Sequence, residues 1–110
     1  PYIRWLFIAK LRLDGFEVVA LSTFDGAIEA VQKEKPDLIL MDVFDGHEIA
    51  LLQELKQNPG LATIPVIFSA SHDHGPEHGL IAKQMGVADV LPKDINMKEF
   101  GERIRAVVHN

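Results

Sequence analysis

Three residues of this 110-residue chain have side chains suited to handling a phosphoryl group, and each follows an apolar run. Asp42 ends DLILMD, Ser69 lies near the end of IPVIFSA, and Lys93 follows ADVLP. A carboxylate can attack phosphorus or ligate a hard metal cation. A hydroxyl can hydrogen-bond one phosphoryl oxygen, and an ammonium can neutralise another as a compact point charge. Each has an ordinary reading alone: Asp42 as a solvated loop acid, Ser69 as a strand-end hydroxyl bonded to backbone, Lys93 as a surface lysine. On three successive strands they fit the formation and holding of an aspartyl phosphate.

To bring such groups together, the strands must all end on one side, and the hydrophobic periodicity provides for this. Residues 2–14 place Ile3, Leu6, Phe7 and Leu11 at helical spacing, and Asp14-Gly15 ends that helix. FEVVAL (16–21) reads as a short buried strand. Ser22 or Thr23 can cap a second helix through Glu34, with Ala27, Ala30 and Val31 facing inward, and Pro36 breaks it. A strand follows over 37–43, and then a helix with Ile49, Leu52 and Leu55 that stops near NPG (58–60). IPVIFSA (64–70) is a strand whose Pro65 sits only at its start, where a missing N–H is tolerable. The pattern next predicts a helix over 76–85 closed by Gly86, a strand over 88–92, and a final helix capped by Asn96. Phe100, Ile104, Val107 and Val108 share one face of that last helix. Alternating helices and nearly continuous apolar strands imply a doubly wound α/β fold with a parallel sheet. In such a sheet, ligands bind beyond the carboxyl ends of the strands, where Asp42, Ser69 and Lys93 stand.

The totals exclude several alternatives. The chain suits one domain, and its 47% hydrophobic and 25% charged residues are those of an ordinary globular protein. The net charge is −5 and the bases are scattered, so nothing attracts a nucleic-acid backbone or an anionic membrane surface. With no cysteine, disulfides and thiolate metal sites are ruled out, which agrees with a cytoplasmic location. No apolar run approaches the ~20 residues needed to span a bilayer. SHDHGPEH (71–78) brings His74 and His78 to helical spacing, but without a second ligand cluster it reads as a wet loop rather than a zinc site.

On these motifs the chain resembles the receiver domain of two-component response regulators over all 110 residues. DLILMD matches the strand presenting the phosphoacceptor, which would be Asp42. IPVIFSA matches the strand with the switch hydroxyl, Ser69, followed by the small Ala70. GVADVLPKDI matches the stretch with the family's lysine, Lys93, and PYIRWLFIAKLRLDGFEVVAL looks like the first helix and second strand. The resemblance implies a flavodoxin-like sheet of order 2-1-3-4-5. It implies Mg²⁺, held by Asp42 and the Phe44 backbone carbonyl, and a histidine kinase or histidine phosphotransfer protein as donor. It further implies a partner-binding face, with a possible homodimer through residues 76–109.

The same resemblance places a strand and an acidic pair ahead of Pro1, so residues 1–110 are expected to form a receiver domain lacking its first strand. Val90 stands where an aromatic usually moves with the hydroxyl, and the loop after Asp42 is about two residues short. Two other readings compete. One is a pseudo-receiver that binds partners without phosphotransfer. The other is a phosphatase of the haloacid dehalogenase type, whose Asp-x-Asp motif DVFDG only approximates, since its second acid falls three residues after the first.

Overall fold

A computed structural model describes residues 2–21, 24–42, 47–70 and 83–108 of the chain. Its helices are α1 (Tyr2–Leu13), α2 (Ala27–Glu34), α3 (His47–Gln57) and α4 (Met97–Val108). Its strands are β1 (Ile39–Asp42), β2 (Val66–Ala70) and β3 (Asp89–Pro92). They form a parallel sheet in the order β1-β2-β3, in the register Asp42↔Ser69 and Ser69↔Leu91.

Strand alternation divides the core in two. Ile39, Met41, Val66, Phe68 and Val90 face one side, against Ile28 and Val31 of α2 and Leu52 and Leu55 of α3. Leu38, Leu40, Ile67 and Leu91 face the other, against Phe7 and Leu11 of α1 and Phe100 and Ile104 of α4. Because both faces are covered, β2 is apolar through Phe68, and its first four residues are all buried. Each large side chain buried in this way contributes roughly 1.5–3 kcal/mol. Phe7 and Phe100 also stack with ring centroids 4.3 Å apart, fixing α1 on α4. At that contact Gly101 leaves little room, since a Cβ there would meet Asp14 Oδ2 and Lys10 Cε at 3.0 Å and those side chains would have to shift.

Local sequence accounts for most of the element ends. Gly15 adopts φ 93°, and the Phe16 and Gly15 N–H groups donate to the Leu11 and Arg12 carbonyls, closing α1 in a Schellman turn. Asn96 caps α4 by accepting from the Glu99 N–H at 2.8 Å. Asn58 turns the chain after α3, its side chain accepting from the Gly60 N–H at 3.0 Å. Gly86, at φ 95°, ends the turn before β3.

Two expectations are corrected. Phe16–Leu21 is not a strand: none of its residues joins a ladder, and Val19 and Leu21 are exposed. Apolar composition favours an extended chain, but a strand needs a neighbour for its N–H and C=O groups. Among the described residues β1 pairs only with β2. Of the expected 2-1-3-4-5 sheet, the described residues show three parallel strands in the order β1-β2-β3. Second, α2 begins at Ala27, after a turn through Gly26 at φ 74°, rather than directly from a Ser22 or Thr23 cap, residues that lie outside the described set. Ile49, Leu52 and Leu55 of α3 all pack on the core as expected, and the fully buried Glu48 lies in the same helix. Most of the helix expected over 76–85 also lies outside the described residues, as do the three histidines of 71–78. No helix among the described residues is long and apolar enough to cross a membrane.

Candidate functional site

The parallel register brings the carboxyl ends of β1, β2 and β3 to one rim. Asp42 is the last residue of β1, and its Cα partner is Ser69. Lys93 directly follows β3, and its N–H donates to the Ala70 carbonyl at 3.1 Å, extending the β2–β3 ladder by one bond. This anchors the lysine backbone while its side chain reaches across the rim. Lys93 Nζ stops 3.9 Å from Asp42 Oδ1. At that separation the two attract as charges without a hydrogen bond.

Accessibility differs sharply among the three. The Asp42 side chain is 45% exposed and that of Lys93 24%, whereas Ser69 is fully buried. Among the described residues the Ser69 hydroxyl has no hydrogen-bond partner. A buried hydroxyl without one costs about 1–3 kcal/mol, so natural structures rarely keep one idle. The arrangement offers a solvent-accessible carboxylate nucleophile, a cation within reach of it, and an unused donor one strand away. Small Ala70, after Ser69, is only half-buried.

Other residues singled out by sequence are placed as follows. Phe44 lies outside the described residues, and with it the proposed carbonyl ligand. Val90 is half-buried against the α2–α3 side of the core. Asp89 and Arg103, both within residues 76–109, are engaged with each other. Arg103 Nε and an Arg103 terminal nitrogen donate to the two Asp89 oxygens at 2.9 and 2.7 Å. Burial pushes the Asp89 carboxyl up, but hydrogen bonds from Arg103 and the Val90 N–H, with the charges of Arg103 and Lys83, outweigh it and hold the group below its ordinary value. The bond to Asp89 in turn raises Arg103. Sequence reasoning passed over Glu48, a fully buried acid in the first turn of α3. Its i, i+4, i+7 spacing with Leu52 and Leu55 was the available signal.

Comparisons with known proteins bear on the family and the fold. The model of the response regulator receiver domain family matches residues 1–105. The chain is 29% identical over 108 residues to the phosphate regulon transcriptional regulatory protein PhoB of Escherichia coli, covering 96% of this chain and 47% of PhoB. It is 31% identical over 110 residues to the transcriptional regulatory protein KdpE of Mycobacterium tuberculosis, covering 98% of this chain and 47% of KdpE. The chain thus spans less than half the length of these relatives. Among solved structures, the receiver domain of NtrX from Brucella abortus superposes with a TM-score of 0.85 at 25% identity, covering 98% of this chain and 91% of that one. A response regulator from Desulfuromonas acetoxidans gives 0.84 at 25% identity, covering 97% and 88%.

Proposed function

Because the chain belongs to the response regulator receiver domain family, we propose that Asp42 is its phosphoacceptor. The family is one of signalling domains rather than enzymes. In the proposed step an Asp42 carboxylate oxygen attacks the phosphorus of a phosphohistidine on a histidine kinase or histidine phosphotransfer protein. The P–N bond breaks, the imidazole leaves with its electron pair and takes up a proton, and an acyl phosphate forms on Asp42. Lys93 then contacts a phosphoryl oxygen, and the Ser69 hydroxyl turns to donate to another. The observation carrying this reading is the Asp42–Lys93 approach of 3.9 Å beside an unpartnered buried hydroxyl.

Receiver domains generally bind Mg²⁺ at an acidic pocket. Here Asp42 offers one carboxylate, and among the described residues no group of three or more acids or histidines could hold a metal ion. Mg²⁺ takes close to octahedral oxygen ligation, so these residues alone do not make a complete site.

The output face in this reading includes β3 and α4, within residues 76–109, and is available for a homodimer or another partner. Of its charges, Asp89 and Arg103 bind each other and Arg105 lies 3.5 Å from Asp14. Lys83, Lys98, Glu99 and Glu102, all exposed, are the side chains that set specificity there. Any turnover is limited to slow self-dephosphorylation by water reaching the exposed Asp42.

Incubation with a small phosphodonor such as acetyl phosphate, in the presence of Mg²⁺, tests the acceptor. Intact-mass spectrometry is expected to show one added phosphoryl group that hydroxylamine removes, as it does for an acyl phosphate. Labelling that resists hydroxylamine, or that persists in Asp42→Asn, overturns the assignment. Absence of labelling from both donor proteins and small donors would leave a partner-binding module without phosphotransfer.

A further inference from the structure

We draw no further inference here: the strongest candidate, the solvent-facing side of α1 that leaves Trp5 and Leu13 exposed together with Val19 and Leu21 of the segment that follows, is an unpartnered apolar surface, and nothing in the structure shows what covers it.

Discussion

At the amino end of β3, Asp89 meets Arg103 in two hydrogen bonds of 2.7 and 2.9 Å, whereas beyond the carboxyl end Lys93 stops 3.9 Å short of Asp42. The same strand therefore carries a satisfied ion pair at one end and an unsatisfied one at the other. The first is a planar guanidinium matched to both oxygens of a carboxylate, and it also donates to the Val90 carbonyl at 3.3 Å. The second is a point charge near a half-exposed acid, with an idle hydroxyl beside it. A tight pair holds β3 against α4 and has little spare bonding capacity. A loose one leaves its acid free to react and its cation free to follow new charge. This contrast separates structural from chemical charges on one element, and it can be broken from either end.

The largest effect is expected from Asp42→Asn. The substitution removes the nucleophile, so phosphoryl incorporation measured by intact mass falls to background. Stability should barely change, by less than about 1 kcal/mol, because the pair it dissolves is exposed and not hydrogen-bonded. A large drop in the denaturation midpoint would mean that Asp42 holds the fold together, and the contrast would fail.

Arg103→Ala probes the opposite end. Truncation leaves the Asp89 carboxylate, which is about four-fifths covered, without its main donors. A loss of about 1–3 kcal/mol is expected in urea unfolding, kept below the cost of a fully buried pair because Arg103 itself is a third exposed. Labelling of Asp42 in the folded variant should be retained. Lost labelling with unchanged stability would make Arg103 part of the chemistry instead.

Why one end was legible in the sequence and the other was not follows from range. Asp42, Ser69 and Lys93 each end a local apolar run, and a parallel sheet converts three local patterns into one rim without further information. The Asp89–Arg103 pair spans 14 residues and the entry into α4. Its formation depends on how α4 rotates on the sheet, which is set by Phe100 and Ile104 packing against Ile67 and Leu91. No spacing rule encodes that, so both residues read as surface charges. Phe16–Leu21 failed for a related reason. Its composition is that of a strand, yet ladder bonds come from neighbours, and propensity alone does not provide them. Asn96 and Gly15, by contrast, act within one turn of their own position, and both helix ends were readable directly.

The acid limb of stability sharpens the comparison further. Asp89 titrates below its ordinary value of 3.8 in the folded state, so the unfolded chain binds its proton first as pH falls. The stabilisation is thus fully present above about pH 4 and is lost as pH drops through the lower folded value. Asp89→Asn should remove this contribution, giving a stability curve that falls less steeply below pH 4 and a loss of about 1 kcal/mol near neutrality. Unfolding midpoints measured from pH 2 to 7 on both proteins, a range of about five units, check it. Parallel curves would show that the pair contributes no pH-dependent stability.

The smallest expected change, Ser69→Ala, tests the idle hydroxyl directly. Ser69 Oγ is fully buried with no hydrogen-bond partner among the described residues, and a hydroxyl so placed carries a desolvation cost with no bond in return. Removing one oxygen relieves that cost and leaves a gap smaller than a methyl group, whose lost contacts offset part of the gain. The net expectation is between no change and a stabilisation of about 1 kcal/mol, opposite in sign to a typical buried substitution. Labelling at Asp42 should persist, because the nucleophile and Lys93 remain. What the variant should lose is the difference between phosphorylated and unphosphorylated forms, read as amide chemical-shift changes along β2 and β3 on phosphorylation. A destabilisation of more than about 1 kcal/mol would show that the hydroxyl already has a structural bond. Ser69 would then belong with Arg103 among the residues that hold the fold, and the rim would be left with an acid and a lysine but no group waiting for the phosphoryl oxygen.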